Sequence, residues 1–192
     1  VGGGGVTKFK GNIWGNNRVE SRSYNEVIGD ESTDTARAAL ALLNDIKNKI
    51  VFGGNYFTDF LPPSRCWIVW DKENTGNFAD AELAWTSFDQ SVRLYHWLWN
   101  GLSRKGERSE ELTSRVHPTQ KPVGLFKQIL EDFSQAADII FDPFLGSGTT
   151  MIACENLGRK CRGVEVDPGY VAVSLERYKT TFNKMPVLLE GD

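Results

Sequence analysis

One stretch of this 192-residue chain carries residue types that imply chemistry: Asp142-Pro143-Phe144-Leu145-Gly146-Ser147-Gly148-Thr149-Thr150. The apolar, β-favouring Ile139-Ile140-Phe141 runs into it, and residues 149–157 have the composition of a helix closed by Gly158. The stretch therefore falls at the carboxyl end of a strand and the start of a helix, where open α/β sheets bind ligands. Gly146 and Gly148 let the backbone come close to a bound molecule, and a helix N-terminus offers free N–H groups. Two phosphate-binding versions of such a turn fail on particular residues. A P-loop needs a lysine before its Ser/Thr, and this turn has none; a dinucleotide fingerprint needs Gly or Ala where Met151 stands. An acid, Asp142, ends the strand instead. It would repel a pyrophosphate and suit a cation such as an ammonium or a sulfonium, although capping of the helix is the plainer role for the same side chain.

A second acid, Glu165, lies 17 residues past Gly148 at the end of the next apolar run. That is close to the ~20 residues at which an acid reaches a ribose in nucleotide-binding α/β units. A carboxylate there can accept from both ribose hydroxyls. A ligand with a cationic end, a nucleoside end and no diphosphate between them is expected, and S-adenosylmethionine fits that description.

The elements that must position these groups are legible from periodicity. Ser32, Thr33 or Asp34 can cap a helix with apolar positions Ala36, Ala39, Leu40, Leu43 and Ile46, ending near Lys47 and Lys49. Ile50-Val51-Phe52 reads as a short buried strand broken by Gly53-Gly54, and Asn55 after them completes a turn or does more. Cys66-Trp67-Ile68-Val69-Trp70 and residues 81–85 and 92–99 read as further strands, the aromatic-rich last one as core. Pro122 can start a helix with an apolar face of Leu125, Phe126, Ile129, Leu130 and Phe133. Residues 161–166 predict a strand, and Pro168 opens a helix through about Tyr178. Strand, Gly-rich turn, helix, strand, helix is a doubly wound α/β pattern with a mostly parallel sheet.

Composition bounds the alternatives. Hydrophobic residues at 40% and charged residues at 24% suit a folded domain, and the length suits one domain. No apolar run approaches the ~20 residues that span a bilayer. Twenty-two basic against 25 acidic residues exclude a wholesale basic wrapper for nucleic acid and leave room for local patches. The three cysteines, Cys66, Cys154 and Cys161, form no metal-binding spacing, so no metal is expected; scattered thiols suit a reducing cytoplasm and burial as small apolar residues.

Asp142 to Thr150, with His117-Pro118-Thr119-Gln120-Lys121-Pro122 some 20 residues ahead, resembles the cofactor half of the amino-group DNA methyltransferases, which methylate adenine N6 or cytosine N4. Val51-Phe52-Gly53-Gly54-Asn55-Tyr56-Phe57 and Phe78-Ala79-Asp80-Ala81-Glu82-Leu83-Ala84-Trp85 are similar to segments of the same family, and the resemblance covers roughly residues 31–180. The order is that of the permuted class, whose catalytic motif precedes the cofactor motif. The resemblance implies a three-layer Rossmann-like S-adenosylmethionine-dependent fold. It places Asp142 on the methionyl ammonium, with Pro143, Phe144, Gly146, Ser147, Gly148, Thr149 and Thr150 lining the cofactor. Thr119 and Lys121, with His117, Pro118, Gln120 and Pro122, would meet the methionyl carboxylate, and Glu165 with Val166 the ribose. Thr119 as a helix cap and His117 as a hydrogen-bonded core residue are the plainer alternatives.

By the same resemblance residues 1–30 form a loop after the catalytic motif, 31–86 the catalytic-side half, 87–116 a DNA recognition segment and 117–182 the cofactor half. Double-stranded DNA is the implied partner, contacted by Arg104, Lys105, Arg108 and Arg115, and with Lys8 and Lys10 as further candidates; a homodimer is left open. The family's polar-Pro-Pro-aromatic motif has no match here, since Leu61-Pro62-Pro63-Ser64 lacks both the polar and the aromatic residue. No catalytic residue is therefore assigned within the chain, and the motif is expected upstream of Val1. A catalytically silent cofactor-binding subunit, a methyltransferase for RNA, protein or small molecules, and a nicotinamide oxidoreductase are the rival expectations.

Overall fold

The computed structural model describes residues 32–74, 79–99, 120–184 and 187. Helix α1 (Asp34–Leu42) is entered through Ser32, whose hydroxyl accepts from the Asp34 amide at 3.2 Å. It stops short of the predicted end near Lys49. Asn44 and Asp45 are poor helix formers, and none of the residues of α1 is buried, so no packing extends it. Lys49 nevertheless serves that end, its ammonium donating to the carbonyls of Asn44 (3.2 Å) and Ile46.

Four strands form the first sheet: β1 (Ile50–Phe52), β2 (Trp67–Asp71), β3 (Ala81–Thr86) and β4 (Arg93–His96), in the order β1-β3-β2-β4. β2 and β4 run parallel, and β3 is antiparallel to both β1 and β2. β1, β2 and β4 thus share one direction with β3 inserted against them. The nine residues between β2 and β3 suffice for a hairpin return and fall short of the dozen or so a parallel crossover needs. The register sets Phe52, Ala84 and Ile68 side by side on one face, with Trp70 and Glu82 one step further along it.

Helix α2 (Val123–Phe133) covers that face. Its Leu125, Ile129 and Phe133 pack with Cys66, Ile68, Trp70, Ala84 and Tyr95, and the expected core role of the aromatic run holds for Tyr95, Trp97 and Trp99. Leu125, Ile68 and Trp70 are wholly or almost wholly buried, worth about 1.5–3 kcal/mol for an aliphatic side chain of this size. The Tyr95 hydroxyl donates to Asp132 of α2 at 2.6 Å; burial and that carboxylate hold its phenol well above the usual value.

Strands β5 (Ile139–Asp142) and β6 (Lys160–Gly163) pair in parallel as a second sheet, connected by α3 (Thr149–Asn156). The adjoining stripe of α2 meets this unit: Leu130 is buried with Ala153 and Cys154, and Val123, Phe126, Ile140 and Cys161 pack around them. Helix α4 (Pro168–Phe182) follows, capped by Asp167, whose carboxylate accepts from the Gly169 amide at 2.7 Å. It runs one turn past the predicted end, to Asn183 in the left-handed region. β6 ends earlier than predicted, because Val164 leaves the strand to bond the turn after β5. The chain thus has the expected Rossmann-like α/β construction, but the sheet expected as mostly parallel is met as two sheets, and two of the four strand pairings among the described residues are antiparallel because β3 is inserted against its neighbours. No helix among the described residues is long and apolar enough to cross a membrane.

Candidate cofactor site

The two glycines of the 142–150 turn both have positive φ, +54° at Gly146 and +81° at Gly148. At Gly148 close approach adds to the conformational demand: a Cβ there would lie 2.9 Å from the Ser174 Cβ on α4. Every part of the turn is tied to a neighbour. Leu145 N donates to the Val164 carbonyl and Val164 N to the Asp142 carbonyl, both at 2.9 Å, closing the turn onto the end of β6.

Asp142 does not cap α3. The N-cap position belongs to Gly148, and the aspartate accepts from the Thr150 hydroxyl at 2.6 Å and the Phe144 amide at 2.9 Å. Glu165 bridges two backbone amides, accepting from Gly146 at 2.7 Å and from Asp167 at 2.9 Å. Two carboxylates therefore flank one glycine turn. Each oxygen has one of these contacts, which leaves lone pairs for a ligand's donors.

Sequence reasoning placed Asp142, Gly146, Ser147, Gly148, Thr149, Thr150 and Glu165 together, and the structure brings them together. Lys121 joins them, because its carbonyl accepts from the Thr149 hydroxyl at 3.0 Å. Gln120 and Pro122 are buried beside it and Pro143 is half-buried. Phe144 and Val166 are the outlying members, 56% and 68% exposed. His117, Pro118 and Thr119 lie outside the described residues, as do Arg104, Lys105, Arg108, Arg115, Lys8 and Lys10. Asn55 is exposed in the single 3₁₀ turn Gly54–Tyr56 that follows β1.

Two contributors to the site escaped sequence reasoning, Arg177 and the Lys72–Glu82 pair. Arg177 of α4 donates to the Ser147 hydroxyl at 2.9 Å and also to the Ser147 carbonyl, fixing the middle of the turn. A cation two turns into a helix gives no local sign of the loop it reaches. Glu82 of β3 stands between Lys72 (2.8 Å) and Lys121 (3.6 Å), a meeting visible only once the register is known. Behind the turn, the thiols of Cys154 and Cys161 share a hydrogen bond. It lowers Cys154 below the usual thiol range, and together with burial it raises Cys161.

The comparisons with known proteins agree with this geometry. A family model described as DNA methylase, for N6/N4 methyltransferases, matches residues 67–176, an interval that includes Asp142, the glycine turn and Glu165. Over 69 residues the chain is 39% identical to the type II methyltransferase M.HpaI of Haemophilus parainfluenzae, covering 36% of this chain and 22% of that protein. Over 70 residues it is 46% identical to the type II methyltransferase M2.MboI of Moraxella bovis, covering 36% and 26%. The chain thus matches about a quarter of the length of these relatives. The crystal structure of M1.HpyAVI superposes with a TM-score of 0.50 at 22% identity, over 75% of this chain and 81% of that one, a likeness of fold.

Proposed function

Because this chain belongs to the DNA methylase family whose model spans residues 67–176, we propose that it forms the cofactor-binding part of a site-specific DNA methyltransferase. The methyl group would pass from S-adenosylmethionine to the exocyclic amine of adenine (N6) or cytosine (N4) in double-stranded DNA. The observation that carries this reading is the glycine turn held between two carboxylates, Asp142 and Glu165. That arrangement suits a sulfonium-bearing amino acid joined to a nucleoside and disfavours a diphosphate.

The residue roles follow the chemistry of each group. Asp142 accepts from the methionyl ammonium, Glu165 from the ribose hydroxyls, and the backbone of Gly146, Ser147 and Gly148 lies against the ligand. Lys121, with Thr119, faces the methionyl carboxylate. Bound here, the cofactor supplies an activated methyl group. An exocyclic amine whose lone pair is delocalised into its ring needs orientation and hydrogen bonds to its protons, with no covalent adduct. The target base would be flipped from the duplex to reach the site. Attack on cytosine carbon 5 would need an enzyme nucleophile, and Cys66 and Cys154 are buried while Cys161 is a half-buried free thiol hydrogen-bonded to that of Cys154.

Arg104, Lys105, Arg108 and Arg115 would contact DNA phosphates, in a cytoplasmic setting.

Calorimetry with S-adenosylmethionine and with NAD tests the reading. The chain should bind the former in preference, and Asp142→Ala should weaken that binding by ~1.5–3 kcal/mol, the scale of a charge-assisted hydrogen bond. Tighter binding of NAD, or unchanged affinity in the variant, would remove the assignment.

A further inference from the structure

At the rim of the cofactor site two ammonium groups share one carboxylate. Glu82 accepts Lys72 on one oxygen at 2.8 Å and faces Lys121 through the other at 3.6 Å. Each ammonium stands near an aromatic ring: Lys72 lies 5.2 Å from the Trp70 ring centroid, and Lys121 lies 5.3 Å from that of Phe52. The three side chains are between 16% and 33% exposed, so solvent screens them less than it would a surface pair.

The placement follows from the fold. β3 runs against β2, so its first residues lie beside the carboxyl end of β2, where Lys72 follows Asp71. Phe52 is the last residue of β1, and the Lys121 carbonyl holds Thr149 of the glycine turn. The cluster therefore sits at the carboxyl edge of the first sheet and is linked directly to the turn.

The charges decide what such a cluster can do. Glu82 alone would neutralise Lys121, and a neutral pair has little attraction for an anion. With Lys72 holding the same carboxylate at the shorter distance, the trio keeps a net charge of plus one, with Lys121 the looser partner. We propose that Lys72 is a positioning residue for cofactor binding: it occupies Glu82, and so leaves the Lys121 ammonium available to the carboxylate of the methionyl group. This inference rests on the function proposed above and adds to it a residue to which neither the resemblance nor the comparisons give a role.

The test uses this chain, calorimetry, and two ligands, S-adenosylmethionine and its decarboxylated analogue, which keeps the sulfonium and the ammonium. Lys72→Met should weaken S-adenosylmethionine binding roughly tenfold, about what one unscreened charge at this burial is worth, and leave the analogue within about twofold. Adding Glu82→Gln to Lys72→Met restores the net charge and should recover most of the loss. Glu82→Gln alone, which leaves two cations, should strengthen binding several-fold and serves where Lys72→Met folds poorly.

Equal loss for both ligands, no recovery in the double variant, or no effect of either single variant would overturn the proposal and leave the cofactor assignment standing. Absence of S-adenosylmethionine binding by the unmodified chain would overturn the cofactor assignment itself, and equal affinity for the two ligands would overturn the carboxylate's place in it; either result removes this proposal too.

Discussion

Replacing Gly148 by alanine tests whether the glycine turn is held in one conformation by its surroundings. The residue sits at φ +81°, a region that costs a residue with a Cβ roughly 1–2 kcal/mol. The new methyl would also lie 2.9 Å from the Ser174 Cβ and 3.3 Å from the Ser174 Cα, on a helix residue that is 2% exposed. The Met151 methyl, 3.2 Å away, can swing aside, whereas the α4 backbone cannot without carrying Arg177 with it. Overpacking of this kind costs roughly 1–3 kcal/mol, so the combined destabilisation should be about 2–5 kcal/mol. Urea unfolding followed by far-ultraviolet circular dichroism reads it as a lowered midpoint at unchanged slope. Ser174→Gly in the same chain removes the Cβ clash and leaves the conformational cost, so a double-mutant cycle should return a coupling of about 1 kcal/mol or more in favour of the pair. A loss below about 0.5 kcal/mol in the single variant would refute the reasoning, because it would mean that the turn relaxes freely. Full loss with no coupling would refute the part assigned to Ser174.

Tyr95→Phe should cost about 1–2 kcal/mol near neutral pH, by removal of the hydroxyl that Asp132 accepts. Burial first, then Asp132, raises the folded-state pKa of Tyr95 above its ordinary 10.0, so its contribution is complete below pH 10.0 and is lost as the pH climbs through the raised value. Denaturation midpoints measured from pH 8 upward should fall less steeply in the variant, and parallel curves would contradict the assignment. Arg177→Met removes two hydrogen bonds from Ser147 and should weaken S-adenosylmethionine binding roughly five- to tenfold, about 1–1.4 kcal/mol, while Arg177→Lys recovers part of it. Binding equal to that of the unmodified chain would show that the turn needs no support from α4.

Local signals carried most of the elements. Pro122 and Pro168 marked helix starts, Gly158 with φ +66° marked a helix end, and the apolar stripe of residues 125–133 proved to be the buried face of α2. The glycine turn and its two acids were legible because their chemistry is concentrated within 24 residues. Pairing was not legible. Nothing in Ala81-Glu82-Leu83-Ala84-Trp85 states that it lies antiparallel between two strands that share the opposite direction. That register brings Glu82 to Lys72, and Lys121 meets it only because α2 docks on the same face. Asp142 shows a different limit: the sequence offered helix capping as its plain role, but Gly148, in a left-handed conformation open to glycine, occupies the cap and leaves the carboxylate to Thr150. Helix α1 and strand β6 were overextended because apolar spacing persists where burial does not.

The two-sided packing of α2 has a mechanical meaning. Along one stripe it carries Leu125, Ile129 and Phe133 into the aromatic-rich sheet, and along the other Val123, Phe126 and Leu130 toward the sheet that bears the glycine turn. It is the element the two sheets share: a displacement of α2 would disturb packing in both clusters. Lys121, one residue ahead of Pro122, ties the helix's leading end to Thr149 by its carbonyl and to Glu82 by its ammonium. The glycine turn and the first sheet thus meet at one residue, Lys121, through its carbonyl on one side and its ammonium on the other.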